Sequence, residues 1–275
     1  MKHHSRCLSL LIYVLLIVLA VLCIVPLYIT FINSTHTNIE ITRDFNLLPG
    51  NNLIANLTEV FSKMDVVQGF INSLKVSIPS VIVSLYFGSL TAFGFSKYAF
   101  KGRDTLFTFM LVTMMIPLQL GLIGYYYLHN FLGLLDTYIP IIIPWIAHPA
   151  TVFFMKMYID SAIPDALLES ARIDGAKEFY SFNMIILPLL TPALATLAIF
   201  NFVGSWNSYI MPLTILFSKE KYTLPLLISM LKGVYQNNYG AIYLGISISI
   251  IPIIIVYSFF STKIIGGLSM GAIKG

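Results

Sequence analysis

Residues 169–188 read ESARIDGAKEFYSFNMIILP: Glu-Ser-Ala-Arg-Ile-Asp-Gly, nine further residues, then Ile-Ile-Leu-Pro. The segment is polar and lies between two long apolar stretches, so the chain on either side of it decides the fold. That chain is 57% hydrophobic and only 10% charged, with a mean hydropathy of +0.85. Such values lie far outside the range of ordinary soluble domains and specify a membrane protein. In 275 residues with apolar runs throughout, the expectation is a single transmembrane domain over 1–275.

A hydrocarbon core of roughly 30 Å needs about 20 helical residues. Six stretches are long enough: 8–32, 70–95, 105–128, 138–156, 189–212 and 241–262. A β-barrel would instead alternate apolar and polar residues over about ten positions, and these runs are continuously apolar. The expected fold is therefore all-α, a polytopic bundle of six transmembrane helices. Pro26, Pro79, Pro117, Pro144, Pro192 and Pro252 fall inside the runs and predict kinks, because each removes a backbone hydrogen bond. The basic residues Lys2 and Arg6 before the first run resemble the start of a secretory signal. Its apolar length of about 25 residues exceeds the usual 7–15 of a signal core, so the segment is expected to remain as an anchor. Cys7 and Cys23 belong to it and predict no disulfide.

Short cytoplasmic loops are enriched in Lys and Arg. With the N-terminus inside, ten of the 16 basic residues (Lys2, Arg6, Lys97, Lys101, Arg103, Lys156, Arg172, Lys177, Lys263, Lys274) are cytoplasmic. An even number of spans then places both termini and the connection 157–188 in the cytoplasm. All 12 carboxylates fall in loops, which leaves His148 as the mid-membrane ionisable group. Carriers coupled to protons or ions usually keep such a group at depth. No Gly-rich loop ending in Gly-Lys-Ser/Thr occurs either, so nucleotide energy has to come from another protein. The charge of +4 is spread over loops and predicts no nucleic-acid partner.

The connection 157–188 supplies a surface for such a protein. Pro164 suits a first helical turn, Asp165 complements the helix dipole, and Gly175 can take the left-handed conformation that ends a helix. Between them small residues and charges alternate at helical spacing, which suits a helix lying in a groove of another protein. A solvated amphipathic connector is the plainer reading of the same residues.

The spacing of Glu169, Ser170, Ala171, Gly175, Ile185, Leu187 and Pro188 resembles the EAA loop of permease subunits from ATP-driven importers, with Ser170 replacing the usual second-position Ala. Phe70-Ile71-Asn72-Ser73-Leu74, Phe202-Val203-Gly204-Ser205-Trp206-Asn207 and the Gly-rich end Gly267–Gly275 extend the resemblance over nearly the whole chain. They are similar to the maltose-type sugar importer permeases, specifically the smaller, MalG-like membrane subunit.

That resemblance implies an alternating-access importer. Its partners would be a second, larger permease subunit, two ATPase subunits and an extracytoplasmic sugar-binding protein. No cofactor would be bound by this chain, and ATP and Mg would sit on the partner ATPase. Glu169, Ser170, Ala171, Asp174, Gly175, Ile185, Leu187 and Pro188 would form the coupling element, with Gly271, Lys274 and Gly275 of the tail as further ATPase contacts. On the opposite face the loop 213–240, with Tyr235, Gln236, Asn237 and Asn238, would meet the binding protein. Asn201, Trp206, Asn207 and His148 could face a sugar pathway through stacking and amide hydrogen bonds. A permease of the same architecture for a non-sugar substrate and an ion-coupled carrier are the alternatives.

Overall fold

The structure, a computed structural model, describes the backbone of residues 2–231 and 237–272, with side chains over 8–231 and 237–259. Among the described residues every regular element is helical. In chain order the α-helices are α1 (Lys2–Asn33), α2 (Asn38–Arg43), α3 (Leu53–Lys63), α4 (Val66–Lys97), α5 (Arg103–Thr113), α6 (Leu122–Phe131), α7 (Ile139–Ile142) and α8 (Pro149–Ala162). They continue as α9 (Asp165–Ile173), α10 (Glu178–Ser181), α11 (Leu187–Leu189), α12 (Thr191–Trp206), α13 (Ile210–Ile215), α14 (Leu224–Ser229) and α15 (Tyr239–Ala272).

Among the described residues four helical segments are long and apolar enough to cross a membrane: Leu8–Asn33, Val66–Lys97, Ile139–Ala162 and Tyr239–Phe259. Two further helix pairs qualify only when each is taken as one broken span. Arg103–Thr113 and Leu118–Phe131 meet at 90°, and Glu178–Leu189 and Thr191–Trp206 at 79°. The sequence predicts uninterrupted runs over 105–128 and 189–212, and the structure breaks the first and ends the second early.

Proline chemistry explains where. Pro117 starts a short 3-10 turn at the first bend. Pro188 and Pro192 flank Leu190 at the second. Pro192 has no N–H for the carbonyl of Pro188, and the Thr191 hydroxyl donates to that carbonyl instead at 2.6 Å. Helix α12 then stops at Trp206, short of the expected 212. Pro26, Pro79 and Pro252 are carried inside continuous helices.

Contacts divide the chain into two compact units, Met1–Val66 with Leu227–Ile251, and Val67–Leu226 with Pro252–Gly275. In the first, α1 is almost wholly apolar from Leu8 to Ile32 and exposed from Leu8 to Tyr28, while Ile32 and Asn33 at its end are buried. Beyond it the segment 34–64 is tied into a compact cap. Asn56, 1% exposed, donates to the carbonyls of Ser34 (2.9 Å) and His36 (3.0 Å), and Gly50 N–H donates to Thr35 Oγ1 at 2.7 Å. Gly240 of α15 lies so close to Asn56 and His36 that a Cβ there would come within 2.8 Å of both.

In the second unit α4, α8, α9 and α12 enclose one apolar cluster that includes Phe93, Met155, Ile159, Leu168, Phe182, Ile186 and Leu190. A smaller cluster of Val76, Ile141, Ile215 and Leu216 lies near the other end of α4. Helix α8 continues to Ala162, so the connection expected to begin at 157 begins at Ile163.

Candidate functional site

The chain leaves α8 at Ile163, passes Pro164 in extended conformation (φ −64°, ψ 143°) and enters α9 at Asp165. Proline fixes the φ that such an entry needs, and the carboxylate of Asp165 lies where the helix dipole favours it. At the other end Gly175 takes φ +79°. Its N–H donates to Arg172 O at 3.0 Å while Ala176 N–H donates to Ala171 O at 2.9 Å. Those two bonds are the Schellman pattern, which satisfies carbonyls that the helix end would leave free. Only glycine takes this backbone conformation without steric cost.

One face of α9 is inside the protein. Leu168 is buried in the apolar cluster with Phe182 and Ile186, and Ala171 is buried as well. Complete burial of a leucine side chain contributes about 2 kcal/mol. Of the other residues expected in the coupling element, Ile185 and Leu187 pack against the same cluster. Asp165, Ala166, Glu169, Ser170, Arg172, Ile173 and Asp174 remain exposed, as does Pro188.

Side chains from neighbouring elements brace this helix. Lys97, at the last residue of α4, is 5% exposed and donates to Ile163 O at 2.5 Å and Asp165 Oδ1 at 2.6 Å. Arg172 Nε pairs with Glu178 Oε1 at 2.8 Å, Tyr98 OH also donates to Glu178, and the Arg172 guanidinium lies 5.7 Å from the centre of the Tyr98 ring. Burial, and then the Glu178 carboxylate, push Tyr98 up to about 12, so it stays a hydrogen-bond donor at neutral pH. The hydrogen bond to Glu178 likewise raises Arg172 above its ordinary value.

The pairing is selective. Asp160, Asp165 and Glu178 are engaged by Lys156, Lys97 and Arg172. Glu169 and Asp174 form no ion pair with any described residue. The result is a short helix with a braced back, a front edge with two available carboxylates, and Ile173 86% exposed at its tip.

Comparison with known proteins places this helix in a family. The model for "Binding-protein-dependent transport system inner membrane component" matches residues 84–265. The chain belongs to that family. Among curated relatives, the arabinooligosaccharides transport system permease protein AraQ of Bacillus subtilis is 34% identical over 94% of this chain and 92% of its own. The lactose transport system permease protein LacG of Rhizobium radiobacter is 30% identical over 95% of each. A crystal structure of a bacterial ABC transporter involved in the import of the acidic polysaccharide alginate contains a chain that superposes with a TM-score of 0.77. It covers 94% of this chain and 96% of that one at 24% identity, a likeness of fold.

This inner membrane component is a multi-pass membrane protein, and its other candidate residues are distributed unevenly. Asn201 is buried (3%) in a polar knot between three helices. Its amide donates to Ser84 Oγ (3.0 Å) of α4 and Thr151 Oγ1 (3.1 Å) of α8, and those two hydroxyls lie 3.0 Å apart. His148 Nδ1 reaches Thr151 Oγ1 at 3.0 Å and its ring stacks on Trp145. Trp206 is 1% exposed, stacked on Phe202 and edge-on to Phe70. Asn207 alone of the four pathway candidates is exposed, and its N–H closes α12 on Val203 O.

Asn238 Oδ1 accepts from Ala241 N–H at 3.1 Å at the start of α15, and Asn237 is half-buried. Tyr235, Gln236, Lys274 and Gly275 lie outside the described residues; Gly271 falls in the last turn of α15.

The sequence reading passed over Lys97, Ser84 and Thr151. A lysine that closes a 32-residue apolar helix is a visible signal. So is the helix-face spacing of Ser73, Ser77, Ser80 and Ser84, which marks close helix contact in membranes.

Proposed function

We propose that this chain is a permease subunit of an ATP-driven, binding-protein-dependent importer that carries a carbohydrate, a di- or oligosaccharide, by alternating access. Six spans, the two bent pairs counted as one each, place both termini and α9 in the cytoplasm. A second permease subunit completes the membrane unit, two ATPase subunits carry ATP and Mg, and an extracytoplasmic binding protein delivers the sugar to the opposite face, where the loop 213–240 receives it. The membrane is the bacterial cytoplasmic membrane.

The observation that carries this reading is α9, a helix fixed on one side by Lys97, Leu168 and Arg172 and open on the other at Glu169, Ile173 and Asp174. In this account α9 lies in a groove of the ATPase. Closure of the ATPase pair on ATP moves α9, and because Lys97 ties α9 to the end of α4, that motion enters the membrane helices. The carbohydrate class is supported by the family and by relatives whose names specify arabinooligosaccharides and lactose.

Co-purification tests the docking. The tagged chain should bring down an ATPase from detergent extracts, and Glu169→Lys should lose it while retaining the second permease subunit. An extract in which the wild-type chain is recovered with no ATPase would refute the assignment of α9.

A further inference from the structure

Asp136, in the connection between α6 and α7, is the non-glycine residue with positive φ (56°) among the described residues. Left-handed backbone is strained for a residue with a Cβ, and Asp and Asn are among the few that visit it. A set of hydrogen bonds to a segment about eighty residues later fixes that conformation. The Asp136 N–H donates to Ile215 O at 2.9 Å. Its carboxylate accepts from Phe217 N–H (2.9 Å), Ser218 N–H (3.0 Å), Ser218 Oγ (2.5 Å) and Lys221 Nζ (2.8 Å), and Lys221 Nζ also donates to the Asp136 carbonyl at 2.6 Å.

Helix α4 holds the same segment from the other side. Asn72 Nδ2 donates to the carbonyls of Glu220 (2.7 Å) and Tyr222 (3.0 Å), Gln68 Nε2 donates to Glu220 O (3.3 Å), and Ser73 Oγ accepts from Leu224 N–H (2.8 Å). Residues 216–223 contain only a single 3-10 turn, Lys219–Lys221. Side chains of two other elements therefore set their backbone, and the exposed groups are Phe217, Lys219 and Glu220.

The place of this segment follows from α4. Asn72 grips it near one end of the helix, and Lys97, twenty-five residues on, grips α9 at the other. At 1.5 Å per residue that separation is about 38 Å, more than a hydrocarbon core of roughly 30 Å. The segment and α9 thus lie on opposite faces of the membrane.

We infer that Asp136 is a positioning residue for transport, holding 216–223 in the one conformation that the extracytoplasmic binding protein recognises. The inference rests on the functional reading above and adds to it a device that is built into the fold. A recognition segment that is already ordered avoids the cost of ordering each side chain on contact, and an exposed aromatic between opposite charges suits a contact that must form and release repeatedly.

The test uses the assembled importer in proteoliposomes, with ATPase activity measured against increasing concentrations of its purified binding protein. Asp136→Asn tolerates the left-handed backbone but cannot hold the Lys221 ammonium as an ion pair. Lys221→Met removes the ammonium without touching the strained residue. Each is expected to raise the half-saturating concentration of binding protein about tenfold, with the maximal rate unchanged. Together they should do little more than either alone, as expected of two residues in one network. Amide exchange at Phe217 and Ser218 should quicken in Asp136→Asn.

If those amides open and half-saturation is unchanged, or if the maximal rate falls instead, the positioning role is wrong and the clamp is merely structural. If wild-type activity does not respond to binding protein at all, the underlying functional reading fails and the inference falls with it.

Discussion

Gly175 shows how far a single residue can be read. Its place after an amphipathic stretch marks a helix stop in sequence, and the structure gives it φ +79° with nothing within 4 Å of where a Cβ would stand. Gly175→Ala therefore meets no clash and pays only for the backbone, roughly 1–2 kcal/mol. The amides that close α9 at Gly175 and Ala176 should exchange about 5–30-fold faster as a result. Lys97 at the end of its apolar helix is visible in the sequence, but its partner is not, because that carbonyl lies 66 residues away and only folding brings it near. Lys97→Met leaves the Ile163 carbonyl without that donor, an omission that costs about 1–3 kcal/mol if the carbonyl stays dry. Sugar uptake per ATP hydrolysed should fall while the subunits still co-purify. The clamp residue Asp136 adds a pH prediction. Burial alone would raise its carboxyl, but hydrogen bonds from Lys221, Ser218 and Phe217 outweigh that and hold it well below the ordinary carboxylate value of 3.8. A depressed group keeps its stabilisation above its unfolded value and loses it as pH falls through the folded one. Half-saturation by binding protein should therefore be flat from pH 5 to pH 8 as far as this group is concerned.

The lesson at the scale of elements concerns the helices. Their existence was legible because continuous apolar runs of about 20 residues have one hydrogen-bonded solution in lipid. Their bends were only half legible. Prolines announce that a carbonyl will be freed, yet Pro26, Pro79 and Pro252 sit inside continuous helices while Pro117 and the pair Pro188 and Pro192 coincide with turns of 90° and 79°. The polar knot joining α4, α8 and α12 is tertiary. Asn201 was singled out as a pathway residue, and its side chain is committed to Ser84 and Thr151. In Asn201→Leu those two hydroxyls can still bond each other, so the loss should be about 1–2 kcal/mol, in keeping with the modest worth of hydrogen bonds between membrane helices. Thr151→Val should cost more, because Thr151 meets Ser84, Asn201 and His148 together. Thermal unfolding of the purified complex in nanodiscs ranks the two, and the reverse order would show that Asn201 is the centre of the knot.

Across the whole molecule, the contacts on which the proposed function and the further inference rest lie at the two ends of α4. One end holds α9 through Lys97, and the other holds 216–223 through Gln68, Asn72 and Ser73. Composition was enough to place the chain in a membrane, and the spacing from Glu169 to Pro188 was enough to single out α9. Asp136's hold on 216–223 stayed hidden, because the two are separated by about eighty residues and Asp136 belongs to no motif. The account makes α9 the point at which ATP energy enters, so the direct test is uptake into proteoliposomes that hold the assembled importer. Ion gradients are dissipated by ionophores, ATP is supplied on the α9 side, and the importer's binding protein loaded with a radiolabelled oligosaccharide that it retains is supplied on the other. Accumulation that needs ATP, survives the ionophores and vanishes in Glu169→Lys is the predicted result. Accumulation that follows a proton or sodium gradient in the absence of ATP, and is indifferent to Glu169→Lys, would contradict it.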